Sequence, residues 1–233
     1  MRAERYRTGQ RGGLPPEPAL SLLKEGYCIA ARLGSPLEPT VYVVAHTRYE
    51  RRHLAMELTV ATLVHGELQP GGSVSAYLDR LLELQQHALD LVGQAGVAMY
   101  LDMTRSPQTY RLAAESMPDA MPIRVVVGDV DRANPPFRDL GRLRLLSHMA
   151  MQLSRRVLRC GMARIDPGDP NLLTDQRISQ AFGAAQIRPP KLDPEELLTE
   201  SNADDDVAIT AGLAAYAASE QAPSVYARVS GAN

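Results

Sequence analysis

The sequence predicts an α/β fold, in which a short mixed or parallel sheet is covered by helices and extended arms leave both ends. Between residues 73 and 160, segments with helical spacing of apolar residues alternate with short apolar runs that are typical of buried strands. This alternation favours parallel strands joined by right-handed crossovers. The two ends of the chain are instead rich in charge and proline, a composition typical of segments that become ordered on a partner.

Composition divides the chain of 233 residues into three parts. Residues 1–18 form a basic N-terminal arm, residues 19–165 the α/β core domain, and residues 166–233 a Pro-punctuated acidic C-terminal appendage. Residues 168–233 hold ten acidic and four basic side chains, a net charge of −6, which leaves +4 on the rest of the chain. We expect these opposite charges to attract each other, within one chain or between neighbours.

The first elements of the core are two segments with clear patterns and one with an ambiguous pattern. Residues 19–33 are predicted to form a short helix from their apolar spacing, and residues 40–46 a strand. Residues 48–64 fit two structures. Thr47 and Glu50 have the spacing of a capping box that starts a helix. Strict alternation of apolar residues up to Val64 favours the second strand of a hairpin, and we favour this interpretation.

The next four elements alternate between helix and strand. Ser73 is the predicted N-cap of a helix that ends near residue 92, and the apolar run 97–103 is a buried strand. Ser106 and Pro107 open a second helix that ends near residue 117. Residues 123–127 are a second buried strand.

Residues 135–160 are predicted to form one long helix with an apolar side and an arginine side. Asn134 is a good N-cap, prolines suit the first turn, and Gly161 suits the position after the last turn. Six apolar residues recur every three or four positions and form the predicted buried stripe: Leu140, Leu143, Leu146, Ala150, Leu153 and Val157. Six arginines fall mostly on the other side: Arg138, Arg142, Arg144, Arg155, Arg156 and Arg159.

The acidic C-terminal appendage is predicted to hold short helices separated by breaks. Residues 171–182 form a short helix, and Asp193 caps the start of another. Residues 207–218 are rich in alanine, so they form a thin helix that lets a partner approach closely. The last dozen residues are predicted to be extended.

Several classes of protein do not fit this composition. Two cysteines, Cys28 and Cys160, are too few for a disulfide framework, so a reduced setting with both as small buried residues is expected. No run reaches the roughly 20 apolar residues of a membrane span, and the Arg-rich start does not resemble a signal peptide. Arginine supplies 23 of the 25 basic residues, which together with abundant Ala, Leu and Gly suggests a bacterial or phage source. We expect a cytoplasmic protein, or a virion protein if phage-encoded, with no membrane partner.

Three aspartates at predicted strand ends are the candidate catalytic residues. Asp102 follows one buried strand, and Asp129 and Asp131 follow the next. Ligands of parallel α/β sheets bind beyond the carboxyl ends of the strands, where neighbouring acids hold Mg²⁺ and position a phosphoryl group or a water. Thr104 and Arg105 would add a hydroxyl and a phosphate contact. Apart from this Mg²⁺, no metal site and no cofactor is predicted, since the histidine spacings and glycine-rich loops match no known motif.

Candidate interface residues form three charged groups. The N-terminal arm supplies a group that binds anions or an acidic neighbour: Arg2, Arg5, Arg7 and Arg11. The arginine side of the long helix supplies a second group: Arg138, Arg142, Arg155, Arg156 and Arg159. The acidic group lies in the appendage: Asp193, Glu195, Glu196, Asp204, Asp205 and Asp206. The arginines therefore face an acidic segment of a neighbouring copy, nucleic acid, or solvent.

Three functional hypotheses follow, and the first is favoured. The chain is a non-enzymatic structural or adaptor subunit of a larger bacterial or phage multiprotein assembly, which binds copies of itself or other subunits through its charged arms. The second hypothesis is a Mg²⁺-dependent nuclease or phosphotransferase that uses the strand-end aspartates. The third is a nucleic-acid-binding subunit of a ribonucleoprotein or DNA-processing complex.

Overall fold

The computed structural model describes the chain in several stretches. These are residues 25–34, 37, 39–52, 55–69, 71, 73–93, 96–104, 107–116, 123–128, 138–160, 176–187 and 203–229. The predicted basic arm, 1–18, lies outside the described residues.

One mixed sheet of seven strands forms the centre of the structure. The strands are β1 (Glu25–Arg32), β2 (Thr40–Arg52), β3 (Ala55–Leu68), β4 (Val97–Asp102), β5 (Ile123–Gly128), β6 (Arg138–Gly141) and β7 (Leu158–Cys160). They are ordered β6-β5-β4-β1-β2-β3-β7. The first three strands form an antiparallel meander, β4, β5 and β6 extend the sheet from β1 in parallel, and β7 pairs in parallel with β3.

Helices cover both faces of this sheet. They are α1 (Val74–Val92), α2 (Pro107–Ser116), α3 (Arg142–Ser154), α4 (Gln176–Ile187) and α5 (Ala203–Val229). Helices α1 and α2 contribute to one apolar core with side chains from one face of the sheet, and α3, α4 and α5 contribute to a second core on the other face. The predicted α/β class with a mixed sheet between helices is therefore confirmed.

Strand β1 replaces the helix that the sequence predicts for residues 19–33. The described part of that segment is a strand at the centre of the sheet, and every residue from Gly26 to Leu33 is buried. Because helices cover both of its faces, this strand has no polar side and therefore no alternation of polar and apolar residues. Its leucine, tyrosine and alanine spacing coincides with that of a helix, which explains the error.

The second and third strands form the hairpin that the alternation of residues 48–64 favours. The strand predicted over 40–46 is confirmed and continues to Arg52, and β3 pairs with it in antiparallel register from Thr40 opposite Leu68. The alternative helix from a capping box is wrong. A shift of register between Arg48 and Tyr49 accommodates an irregularity in the ladder.

The following elements agree closely with their predicted positions. Helix α1 begins after Ser73, whose side chain accepts a hydrogen bond from the backbone N–H of Ala76 as an N-cap does. Strand β4, helix α2 and strand β5 lie within two residues of the bounds read from the sequence. The parallel pairing of β4 with β1 and of β5 with β4 confirms the predicted parallel strands.

The long arginine helix predicted over 135–160 is shorter than expected. Helix α3 begins at Arg142, with Gly141 rather than Asn134 as its N-cap, and strands β6 and β7 occupy the two ends of the segment. Its buried residues are Leu145, Leu146 and Met149, whereas Leu143 from the predicted stripe is 58% exposed. Strands β6 and β7 instead form hydrogen bonds with neighbouring strands, which satisfies their backbone N–H and C=O groups. Helical periodicity alone does not reveal this pairing.

The described residues of the predicted C-terminal appendage, 166–233, include two helices that contribute to the core. Helix α5 is the longest helix described, and its residues Val207 to Leu213 are buried among sheet residues. The small side chains of this helix were predicted to let a partner approach closely, but they let elements of the same chain approach instead. A Cβ added to Gly212 would lie only 3.2 Å from the Cβ of Leu145 in α3. Residues 222–229, which were predicted to be extended, belong to this helix. Helix α4 overlaps the helix predicted over 171–182 and ends five residues later, at Ile187.

Candidate functional site

The carboxyl ends of β1 and β4 lie side by side at one edge of the sheet. These strands are parallel neighbours, and Arg32 pairs in register with Asp102. Both side chains lie on the face covered by α5, because they lie two residues after Ala30 and Tyr100 in their strands and these two residues belong to the core that contains α5. This edge is the place where open α/β sheets bind ligands.

Three charged side chains form a buried cluster there, which we call the ion triad: Arg32, Asp102 and Asp206. The Nη1 atom of Arg32 donates a hydrogen bond of 2.9 Å to Oδ2 of Asp102, and its Nε atom lies 3.2 Å from Oδ1 of Asp206 in α5. The three side chains are only 10%, 1% and 3% exposed, respectively. One guanidinium therefore faces two carboxylates in a place that water barely reaches.

The second carboxylate oxygen of Asp102 is also bound. The backbone N–H of Thr104 donates a hydrogen bond of 2.9 Å to Oδ1 of Asp102, and the hydroxyl of Thr104 donates to the same atom. That hydroxyl accepts a hydrogen bond of 2.9 Å from the N–H of Val127, which connects the turn after β4 to β5. Both oxygens of Asp102 therefore have partners within the protein, and the carboxylate is held in one orientation.

The first turn of α5 provides the acidic side chains that meet the core. Asp206 belongs to the ion triad, and the neighbouring Asp205 accepts a hydrogen bond of 3.0 Å from Nη2 of Arg142 in α3. The same nitrogen donates to the carbonyl of Ala185 in α4 at 3.2 Å. Carboxylates in the first turn also interact favourably with the positive end of the helix dipole. These contacts hold the start of α5 against β1, α3 and α4.

The predicted catalytic aspartates are described only in part. Asp102 lies at the end of β4 as expected, whereas Asp129, Asp131 and Arg105 lie outside the described residues. Among the residues that the structure describes, no group of three His, Cys, Asp or Glu side chains could hold a metal ion. A Mg²⁺ site that includes Asp129 and Asp131 stays a prediction.

The predicted arginine interface separates into bound and exposed members. Arg138 forms an ion pair with Glu220 of α5, and Arg142 binds Asp205, so these two stabilise the fold within the chain. Arg155, Arg156 and Arg159 follow the end of α3 and are exposed. Within the described part of the chain they form no ion pair. The N-terminal group lies outside the described residues: Arg2, Arg5, Arg7 and Arg11.

The predicted acidic interface is corrected at its C-terminal end. Asp206 is buried against Arg32 and cannot reach a neighbour, and Asp205 is bound to Arg142. The prediction overlooked this use because it placed residues 166–233 outside the core. Asp193, Glu195 and Glu196 lie outside the described residues, as does the side chain of Asp204.

Arg32 is the site residue that the sequence did not reveal. It lies in the segment interpreted as a helix, so no strand end was expected there. The available signal is a single charged residue at the end of a continuous apolar run, the same arrangement that singled out Asp102.

Cys28, which lies four residues before Arg32 in β1, is confirmed as a small buried residue, and burial raises the pKa of its thiol. The side chain of Cys160 is not described.

A second polar cluster joins the C-terminal half of α5 to α3 and the sheet. Glu220 accepts hydrogen bonds from the hydroxyls of Tyr100 and Tyr216 and pairs with Arg138. The His148 Nε2 atom lies 2.8 Å from the hydroxyl oxygen of Ser219. Burial raises the pKa of Tyr100, and it lowers the pKa of His148. All of these groups have partners within the cluster, which holds α5 in place.

His65 is a buried histidine that makes stability depend on pH. Its side chain is fully buried in β3, with Nε2 3.2 Å from Oε1 of Glu67. Burial lowers the pKa of His65 below its ordinary value of 6.5, Glu67 opposes this change, and Arg177 in α4 adds to it. Histidine is therefore neutral in the folded protein over part of the range in which it is protonated in the unfolded chain.

We expect His65 to lower the stability of the protein as the pH falls below 6.5. The unfolded chain binds the proton more readily, so the free energy of unfolding falls by at most about 1.4 kcal/mol per pH unit from this group. Urea unfolding of wild type and His65→Gln between about pH 7.5 and 5.5 measures the difference in slope. The control is His87→Gln, on the exposed side of α1, which should keep the wild-type slope. Equal slopes in all three proteins would contradict the assignment.

No protein-family model matches the chain, and no curated protein or solved structure is significantly similar to it. None of the helices in the described residues is long and apolar enough to cross a membrane.

Proposed function

We propose that this protein is a non-enzymatic structural or adaptor subunit of a larger bacterial or phage multiprotein assembly, in the cytoplasm or in a virion. The observation that carries the proposal is the ion triad. At the sheet edge where α/β enzymes hold substrates or metals, Asp102 is buried and bound on both oxygens by Arg32 and Thr104. Helix α5 packs over this edge through Asp206. We therefore propose that this end of the sheet holds α5 in place and does not bind a substrate or a metal ion.

The surface we propose for binding neighbours follows α3, and we call it the basic turn: Arg155, Arg156 and Arg159. All three arginines are exposed, and Leu143 and Met151 of α3 are exposed as well. Arginine and methionine are enriched in protein interfaces. Arg156 has a φ of 57°, a conformation that favours glycine by about 1 kcal/mol. The presence of an arginine at a position that favours glycine supports a role for its guanidinium in binding a partner.

The partner that fits the basic turn is an acidic polypeptide segment of a neighbouring subunit. The chain itself offers one in Asp193, Glu195 and Glu196, which precede α5 in a region with an excess of negative charge. Arginine pairs with carboxylates through two parallel hydrogen bonds, which gives such contacts direction as well as attraction. Since Asp205 and Asp206 are used within the fold, these three acids are the ones proposed to bind a second copy.

The test compares two variants with the same change in charge. Arg155→Glu/Arg159→Glu alters the basic turn, and Arg48→Glu/Arg111→Glu alters exposed arginines of β2 and α2. We expect the wild type and the control to form a larger species in light scattering, alone or with the products of neighbouring genes. The basic-turn variant should remain a monomer with an unchanged circular dichroism spectrum. Removal of residues 1–13 should likewise leave a folded core that assembles poorly.

Two outcomes would contradict the proposal. A wild type that stays monomeric alone and with the products of neighbouring genes would end the assembly hypothesis. Binding of DNA or RNA with a steep salt dependence, lost in the basic-turn variant and kept in the control, would assign the basic turn to nucleic acid instead.

A further inference from the structure

We propose that the exposed face of α3, together with the basic turn, receives residues 192–200 of a second copy of the chain, so that subunits join head to tail. This contact rests on the assembly function proposed above. It adds apolar recognition to the attraction between charges, and it fixes how successive copies are arranged.

Helix α3 has one exposed face, which we call the outer face: Leu143, Arg144, Ser147, Met151 and Ser154. At about 100° per residue these five positions fall within roughly 100° of the helix circumference. They lie opposite the buried side of the helix, which holds Leu145, Leu146 and Met149. Leu143 is 58% exposed and Met151 is 37% exposed. The outer face therefore offers two large apolar side chains with small serines beside them.

The segment that contains the outer face and the basic turn has positive charge only. Residues 142–159 include five arginines and no acidic residue. Arg144 lies 5.3 Å from the centroid of the Tyr216 ring and keeps its charge at the outer face. Two such faces packed on each other would bring like charges together, which opposes a two-fold contact of the face with itself. The partner that fits is an acidic segment with apolar side chains.

Residues 192–200 of the chain have this composition. They read Leu-Asp-Pro-Glu-Glu-Leu-Leu-Thr-Glu, with four acidic residues, three leucines and no basic residue, and they lie outside the described residues. Asp193 and Glu196 have the spacing of a capping box, and Leu192 and Leu197 have the spacing of a hydrophobic staple. The sequence therefore predicts the first turns of a helix. A short helix that places its apolar side on an exposed apolar surface is a common mode of recognition.

The leucines and the acids of this segment each have a counterpart on the second copy. Leu197 and Leu198 supply the apolar side chains proposed to contact Leu143 and Met151. The carboxylates pair with the guanidinium groups of the basic turn. Because face and segment are different parts of the chain, each copy binds one neighbour through its face and another through its segment. Such a heterologous contact builds a ring or a filament.

The experiment uses two variants of the full chain, each of which lacks one side of the contact. Leu143→Gln/Met151→Gln alters the outer face, and Leu197→Gln/Leu198→Gln alters the segment. We expect each variant alone to be monomeric in light scattering, with the circular dichroism spectrum of the wild type. Mixed in equal amounts, they should form a species of twice the mass of one chain and nothing larger. The intact segment of the first variant then binds the intact face of the second, and both remaining sides are blocked.

The matched control is Leu91→Gln/Leu112→Gln, which alters exposed leucines of α1 and α2 and should assemble like the wild type. The inference is overturned if either contact variant assembles like the wild type, if their mixture stays monomeric, or if the control also loses assembly. A wild type that is monomeric alone but assembles with the products of neighbouring genes overturns it while the proposed function stands. Loss of assembly in the basic-turn variant but in neither leucine variant has the same meaning.

Discussion

Removal of residues 203–233 should abolish folding, although these residues appear dispensable in the sequence. Helix α5 covers the sheet with nine apolar side chains that are at most 5% exposed: Val207, Ala208, Ile209, Ala211, Leu213, Ala214, Ala215, Ala217 and Ala218. Their burial, with that of the sheet residues beneath them, contributes about 10 kcal/mol or more. This equals the whole stability of a typical domain, about 5–15 kcal/mol.

The measurement is thermal unfolding followed by circular dichroism, together with binding of a dye that reports exposed apolar surface. We expect the truncated chain to lack a cooperative transition and to bind the dye strongly. A control truncation that removes only residues 230–233 should unfold like the wild type, since α5 ends at Val229. A cooperative transition close to that of the wild type in the longer truncation would show that α5 is peripheral.

Arg32→Met should destabilise the protein by about 3–5 kcal/mol, because it leaves Asp102 and Asp206 buried without their common partner. Methionine is close to arginine in length and keeps its packing, so the loss reports mainly on charge. Urea unfolding gives the free energy directly. Arg48→Met is the control: the ion pair of Arg48 with Glu25 is exposed and contributes at most about 1 kcal/mol.

A combined variant separates the loss of charge balance from the loss of contacts. Arg32→Met/Asp102→Asn/Asp206→Asn removes all three charges and should be more stable than Arg32→Met alone, because the two buried carboxylates that lose Arg32 are also neutralised. The effects of neighbours in one network are not additive, so the comparison with the single variant is the informative one. If the combined variant is less stable than Arg32→Met, hydrogen bonds of the carboxylates outweigh their charge.

The ion triad also explains how α5 finds its position on the sheet. An alanine-rich helix against a flat apolar surface has few large side chains that specify its position along the axis. Asp206 to Arg32 at one end of α5 and Glu220 to Arg138 towards the other provide two polar contacts at defined points. Polar contacts of this kind are known to specify register in other helical packings. The hydrogen bond of 2.9 Å from the Tyr49 hydroxyl to the carbonyl of Ala218 adds a third.

The candidate site was predictable only in part. Asp102 was visible because a charged residue directly after an apolar strand stands out, and the strand itself was recognisable from Val97 to Leu101. Asp206 was visible as an acidic residue but was assigned to an interface, because the sequence around it resembles a loop before a thin helix. Arg32 was missed altogether. The three residues are far apart in the chain, and no spacing rule connects them.

The sequence by itself determined the α/β class, the hairpin of β2 and β3, and the elements α1, β4, α2 and β5. Each of these has a local signature, such as the Ser73 cap, strict alternation before Val64, or a short apolar run. Tertiary structure alone decided that residues 25–32 form the central strand and that the arginine segment divides into β6, α3 and β7. It also decided that α5 lies in the core. Residues buried on every side have no polar face, so their periodicity does not distinguish a strand from a helix or a core element from an arm, and only their neighbours do.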